Sequence, residues 1–553
     1  MFYSNIKVER PKGTIVYKKN NYVYHTLEKI YLKDKKHNQN RRICIGKMID
    51  DIYMVPNEHF EDYYPLNIAL KEPPLLSDTV SVGLNTVIER LLDDTQIKYI
   101  FEDILDYEDT NLIKDLMSYM ISNESTVIQH FPSTVRRSNI FSNKIVSDSY
   151  ISSFFKEAIT SKIIETFLYR WNSLERKKDI VYISYDSTNM NTYSNGIELA
   201  EYGHSKDDEG LPQVNLSLAI NQKESLPLFY ELYPGSIIDN SQLKHMVDRL
   251  SEYEYKNIGV ILDRGYFSIN NIKYLEEKGF DYVLMVKTSQ NIIQDIISEE
   301  GLRLSQKGQS KYFIDGHDVF GLTVKKKLYK KDKKASYFHL YYDPERAAYE
   351  AKNMSRIRIA LEKELEEHIN VKIRKKEDLT RYNKYFKLKY DDYGYFKSYE
   401  VNHEYIDDTS YNNGFFCIIT SKQMDARMAL DIYRDRDTVE KLFESLKSQL
   451  DYTKFRVGSS SSLIGKTFIT FIATIIRSRI YYQTKALRLK DNKSYTIPAI
   501  INELNNIEVT KNAKDIYIRR YSLTSKQKNI LNQFGLTDKD VDLSINRLNN
   551  KEY

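Results

Sequence analysis

Near residue 178 the apolar residues of this chain change their period, and the rest of the sequence is arranged around that change. Upstream, over 80–174, stretches such as VIERLLDDTQIKYIFEDIL and NLIKDLMSYMI repeat at three- and four-residue intervals, as helices packed on one face do. A further helical stretch covers 149–174. A DNA-binding helix-turn-helix is one reading of this region; without a clear turn signature, plain helical packing is the expectation. Downstream, 180–185, 214–220, 226–233 and 258–262 are short apolar runs bounded by turn residues, and they predict strands. Segments 241–251 and 268–278 predict helices, the second opening on Ser268 as its N-cap, and 281–287 predicts another strand.

Three strands, a helix, a strand, a helix and a strand is the order of a ribonuclease H-like mixed sheet, so the expected class is α/β. Regularity then breaks down. Residues 290–412 hold lysine-rich and tyrosine-rich strands around a charged helix at 344–369, and they predict an insertion domain between two sheet strands. The core resumes over 413–460, with a strand at 414–420 and one long helix at 423–450. Residues 461–553 predict a helical tail, whose apolar opening LIGKTFITFIATII carries Lys466 and Arg477 and so reads as a core helix. Before the helical region of 76–175, which we expect to bind DNA, residues 1–75 predict short strands in a basic setting. The first part of the catalytic core is then 176–289. A length of 553 residues has room for roughly two to four domains.

Composition narrows the partners. Net charge is only +5, but basic residues cluster in KDKKHNQNRRICIGK (33–47) and KKKLYKKDKK (325–334), a segregation suited to holding a polyanion near carboxylates, or simply to a solvated surface. The 46 tyrosines could stack on bases or reflect an AT-rich genome. Two cysteines far apart, Cys44 and Cys417, argue against a disulfide framework or a structural zinc cluster. No apolar run of about 18 residues occurs, so no membrane span is expected and the compartment reads as cytoplasmic.

The chemistry lies in three acidic positions. Asp186 follows the first strand and Asp263 follows a later one; carboxylates at the C-terminal ends of strands project into the crevice where open α/β sheets bind ligands. Two such carboxylates repel each other, and a hard divalent cation such as Mg²⁺ relieves that repulsion. A third acid should come from the helix DIYRDRDTVEKLFESLKSQLD. At about 100° per residue, Tyr433, Arg436, Glu440 and Lys447 fall within an arc of about 60° at the border of its apolar face. Glu444 lies close to the same face and competes with Glu440 for the role.

The spacing Tyr433-x2-Arg436-x3-Glu440-x6-Lys447 resembles the signature of bacterial insertion-sequence transposases of the insertion-sequence-4 group, and that resemblance selects Glu440. LDRGYF (262–267) and YDST (185–188) are similar to the motifs around that family's two aspartates. EYGHSKD (201–207), LPLFYELYPGSIIDN (226–240) and IGK (45–47) look most like the branch named for insertion sequence 1634. The resemblance covers nearly the whole chain and departs at three points, one of them His204, where the family commonly has an aromatic. Some relatives stack a flipped base on a tryptophan in the insertion, whereas the only Trp here is Trp171, and Asn413-Gly414 stands where the family tends to have Asp-Gly.

The resemblance implies a DDE transposase that cuts transposon ends and transfers the freed 3′-hydroxyl strand into target DNA. Asp186, Asp263 and Glu440 would be both catalytic residues and ligands of Mg²⁺, with Mn²⁺ able to substitute. Tyr433, Arg436, Lys447 and Arg264 would contact DNA, and the insertion would grip the transposon end. The partner would be double-stranded DNA bound by a homodimer, in association with the nucleoid. A ribonuclease H-like nuclease without strand transfer, or a DNA-binding protein that has lost catalysis, are the competing readings.

Overall fold

A computed structural model describes residues 2, 6–32, 37–65, 76–178, 182–203, 210–306, 309–329, 334–373, 375–444, 446–447, 450, 452 and 454–551. Residues 180 and 181 of the first expected core strand, parts of both basic runs (33–36 and 330–333) and His204 with the rest of 204–207 lie outside them.

The N-terminal strands β1 (Val8–Glu9), β2 (Ile15–Tyr17), β3 (Tyr22–Leu32), β4 (His37–Met48) and β5 (Tyr53–Pro56) form an antiparallel sheet in the order β1-β5-β4-β3-β2. β3 and β4 are longer than their apolar cores suggest, because the hairpin pairs backbone groups from Tyr22↔Lys47 out to Leu32↔His37. Val23, Ile45, Met54 and Phe60 make a small core of their own there.

After β6 (Thr79–Ser81) come α1 (Gly83–Asp94), α2 (Ile97–Ile104), α3 (Tyr107–Asn123), α4 (Phe131–Thr134), α5 (Asp148–Glu157) and α6 (Ser161–Glu175). The single helix expected over 149–174 is two, since the Thr160 side chain accepts from Ile163 N and caps a new start at α6. Trp171 of α6 is fully buried and donates to the Pro227 carbonyl at 3.0 Å, tying this helix to the sheet.

The central sheet follows the expected alternation. β7 (Tyr182–Asn191), β8 (Gln213–Asn221) and β9 (Leu226–Pro234) are antiparallel neighbours; then come α7 (Asp239–Glu252), β10 (Gly259–Leu262), α8 (Ile269–Glu277), β11 (Asp281–Val286) and α9 (Asn291–Ser305). β10 runs parallel to both β7 and β11. Ser268 caps α8 as expected, accepting from Asn271 N.

Beyond β11 the sheet keeps growing through residues expected to form an insertion. β12 (Phe313–Ile314), β13 (Val319–Lys326) and β14 (Ser336–Tyr342) join it. The chain then leaves as α10 (Pro344–Glu367), α11 (Lys376–Tyr385), the hairpin β15 (Phe386–Tyr390) and β16 (Phe396–Val401), and α12 (His403–Tyr411). These surround a separate small core of Leu361, Leu365, Tyr382, Phe386 and Phe396. β17 (Phe415–Thr420) returns between β14 and β11, giving a nine-stranded mixed sheet in the order β12-β13-β14-β17-β11-β10-β7-β8-β9.

The helix expected over 423–450 is divided into α13 (Ala426–Arg434) and α14 (Asp437–Glu444). Arg436 N bonds Tyr433 O and Val439 N bonds Arg436 O, so the ladder tightens to i→i−3 between two aspartates, Asp435 and Asp437, that are poor helix-interior residues.

The chain ends with α15 (Ser460–Gln483), α16 (Lys485–Lys490), α17 (Ile497–Asn505), strands β18 (Glu508–Lys511) and β19 (Tyr517–Arg519), and α18 (Ser525–Asn532) and α19 (Asp538–Asn549). The tail is therefore not wholly helical: β18 pairs with β6, joining the tail to the strand that leads into α1. α15 is the central spine, packed against α3, α5 and β9. Among the described residues no helix is long and apolar enough to cross a membrane. In α15 a Cβ at Gly465 would stand 2.2 Å from the Phe155 carbonyl, so glycine is what allows α15 to approach α5 so closely.

Candidate active site

Register brings the two aspartates together. β10 pairs with β7 through Gly259↔Tyr182, Val260↔Ile183 and Ile261↔Ser184, and carrying this two residues further sets Asp263 level with Asp186. Adjacent strands are about 4.8 Å apart, so the two carboxylates share one crevice. Asp263 directly follows β10, as expected. Asp186 does not end its strand: β7 continues to Asn191 because β8 pairs with it along that length, Asp186 opposite Leu218. The crevice opens there because the parallel partner β10 stops first.

Side chains alternate across a strand, so Asp263 shares a face with Ile261, and Asp186 shares one with Ser184 and Tyr182. This is the face covered by α13, where Ile261, Val283, Tyr341, Ile418, Leu430 and Tyr433 form a compact apolar cluster. α13 and α14 thus deliver the rest of the constellation. The Tyr433 hydroxyl donates to Asp263 Oδ1 at 3.1 Å. Arg436 lies 3.3 Å from Asp186 Oδ2 through Nη1 and 2.6 Å from Glu440 Oε1 through Nη2. Its guanidinium also stands 5.5 Å from the centre of the Tyr433 ring. Backbone N–H of Ser187 donates to Asp186 Oδ1 at 2.8 Å. All three acids are therefore joined through two side chains of one kinked helical segment.

Burial sets the electrostatics. It opposes the charge on Arg436, yet Tyr433, Asp186, Asp263 and Glu440 outweigh it and hold the guanidinium protonated. Burial also pushes the Tyr433 phenol well above its ordinary range, so it remains a hydrogen-bond donor. The Arg436 side chain is 11% exposed and that of Glu440 is 56% exposed, so the third acid sits at the rim of the crevice.

Of the remaining expected residues, Arg264 is exposed one position past Asp263, and Lys447 is half-buried beyond the end of α14. Glu444 is exposed at the last position of α14, whereas Glu440 is the one bonded to Arg436. A cleft of about 850 Å³ opens beside the loop that follows Asp263, with Phe267, Ser268, Lys326, Lys327 and Tyr329 among its walls.

Among the described residues no three His, Cys, Asp or Glu side chains are grouped closely enough to hold a metal ion as they stand. The donor chemistry still fits a hard divalent cation. Two carboxylates share a level on adjacent strands, a third lies at the rim, and a cationic group stands between Asp186 and Glu440 and offsets their repulsion.

Sequence reasoning missed the bonding itself. Arg436 and Tyr433, expected to contact DNA, also hold the acids. It also missed His317, which binds α13 from the turn between β12 and β13.

Among known proteins, no curated sequence matches the chain. Among solved structures, a piggyBac transposase in a synaptic complex with hairpin DNA, determined by cryo-electron microscopy, is similar at 10% identity with a TM-score of 0.31. That match covers 74% of this chain and 66% of the other, a likeness too distant to bear on the fold. The model of one family, the transposase DDE domain, matches residues 177–476, which run from just before β7 into α15 and contain Asp186, Asp263 and Glu440. With more than half of its length matched, the chain belongs to the DDE transposase family.

Proposed function

We propose that this transposase belongs to the insertion-sequence-4 group, in the branch named for insertion sequence 1634. In this reading it cuts DNA at the ends of its element and joins the freed 3′-hydroxyl to target DNA. The observation that carries the proposal is the single bonded constellation that Arg436 and Tyr433 make of Asp186, Asp263 and Glu440. The strand order supports a ribonuclease H-like core: β9-β8-β7-β10-β11 reads third, second, first, fourth, fifth in chain order, with the second antiparallel to its neighbours.

Asp186, Asp263 and Glu440 would hold Mg²⁺, or Mn²⁺ in its place, which supplies Lewis-acid polarisation of the scissile phosphate and a lower pKa for the attacking oxygen. The chain's own groups do the rest. An oxygen of water, or of a DNA 3′-hydroxyl, forms a bond to phosphorus as the P–O3′ bond breaks; the attacker gives up its proton and the departing 3′-oxygen takes one. Tyr433 fixes the Asp263 carboxylate and Ser187 N fixes that of Asp186, so neither needs to reorganise during the step. Arg264 and Lys447 offer positive charge to phosphates flanking the scissile bond, joined by Arg436 where it borders the crevice.

The unit of 344–411 extends from the sheet and would grip the transposon end, with the helices of 76–175 and the basic N-terminal sheet adding DNA contacts. Two copies would act on paired ends in the nucleoid. The test is incubation with DNA carrying the element's own ends and Mg²⁺ or Mn²⁺. Joined products are expected. Nicking without joining supports a nuclease, and binding without either supports a protein that has lost catalysis.

A further inference from the structure

The turn between β12 and β13, Asp315-Gly316-His317-Asp318, grips α13 along one face, with His317 and its partner Asp431 separated by 114 residues in sequence. Arg427, Asp431 and Arg434 recur at i, i+4 and i+7 and so form one stripe of α13. Arg427 Nη1 donates to the Asp315 carbonyl at 2.9 Å. His317 Nε2 meets Asp431 Oδ1, and Arg434 Nη1 lies 2.7 Å from His317 Nδ1. The neighbouring stripe, Ala426, Leu430 and Tyr433, is buried against the sheet, and Tyr433 is the residue that holds Asp263. The turn reaches α13 because Gly316 (φ 84) and Asp318 (φ 54) are both left-handed, which swings the imidazole out over the helix.

The bonding fixes the proton on His317. A guanidinium has donors and no acceptor, so Nδ1 must be the bare nitrogen that accepts from Arg434, and Nε2–H then donates to Asp431. The ring is a two-way connector that needs one donor and one acceptor on opposite sides. Protonating Nδ1 would set a second N–H against the guanidinium.

We propose that His317 is a positioning residue for the active site. Held as the Nε2–H tautomer between Asp431 and Arg434, it locks the height and rotation of α13, and through them the Tyr433 hydroxyl on Asp263 and Arg436 on Asp186 and Glu440. The proposal rests on the catalytic reading of those residues. It makes the sheet extension part of the active site's support.

The test compares His317→Leu with His317→Gln, whose amide offers one donor and one acceptor as the imidazole does. In nicking assays on end DNA, His317→Leu is expected to lower kcat by about ten- to a hundredfold, the range that small misplacements of reacting groups cost, with KM for DNA little changed. His317→Gln is expected to recover most of that loss. Two readings are taken without DNA on the same proteins. Nitrogen-15 NMR is expected to give a bare Nδ1 for His317, and hydrogen exchange over 431–440 is expected to speed up in His317→Leu and not in His317→Gln. Wild-type nicking by His317→Leu, equal loss in both variants, or a protonated Nδ1 overturns the proposal. A wild-type protein that exchanges as expected and shows the bare Nδ1 but never nicks overturns the catalytic reading instead and leaves the clamp standing.

Discussion

Arg436 stands between Asp186 and Glu440, and Tyr433 holds Asp263, so the acids are oriented before any DNA arrives. Changing Tyr433→Phe removes one hydroxyl and keeps the ring in its apolar cluster. We expect nicking to slow about tenfold in single-turnover assays, since a carboxylate loses its orienting bond, with a change in stability of about 1 kcal/mol or less in urea. Strand ends singled out Asp186 and Asp263 in the sequence, and the resemblance selected Glu440 over Glu444. Their bonding was not legible, because the helical wheel assumed an unbroken helix, whereas the kink at Asp435–Arg436 turns the Arg436 side chain inward. His317 left no local signal at all, since its partners lie more than a hundred residues downstream.

Among the elements, the strands of the core were legible because short apolar runs between turn residues carry their own boundaries, and β10 and β11 match the expected segments closely. What escaped were pairings between distant strands. β18 and β19 are half polar and are strands because they pair with each other and with β6. β13 and β14 extend the main sheet, and His339 of β14 is fully buried between Thr323 and Thr420 at 2.9 and 3.0 Å. Burial holds its imidazole neutral, down to about 4 from an ordinary 6.5. A group whose folded-state value is depressed contributes stability that is present above the unfolded value and lost as pH falls through the folded one. Equilibrium unfolding from pH 7 to pH 4 should therefore show a loss on the order of 3 kcal/mol that His339→Gln largely removes. At the spine, Gly465→Ala drives a methyl into the Phe155 carbonyl and should destabilise the protein by about 1–3 kcal/mol in the same measurement.

At the scale of the whole molecule, the insertion is two things: strands that continue the sheet and buttress α13, and a unit of 344–411 with its own small core. The two ends of that unit meet, since Tyr342 pairs with Phe415 and Asp343 N bonds Gly414 O at 2.9 Å. Replacing 344–413 by a short Gly-Ser linker should therefore leave a cooperatively melting protein, read by circular dichroism. Binding to transposon ends should weaken strongly in gel shifts. Sequence patterning set all of 290–412 apart from the core and did not divide its two halves, because strand partners are set by tertiary pairing and not by periodicity.

The central claim is that Asp186, Asp263 and Glu440 form one catalytic set. It is tested most directly by Mg²⁺-dependent nicking of end DNA by Asp186→Asn, Asp263→Asn, Glu440→Gln and, alongside them, Glu444→Gln. The first three should each lose about a thousandfold or more in rate, roughly 4 kcal/mol at the barrier, while Glu444→Gln nicks like the wild type. Activity retained by any of the first three, or lost in Glu444→Gln while Glu440→Gln keeps it, would contradict the account.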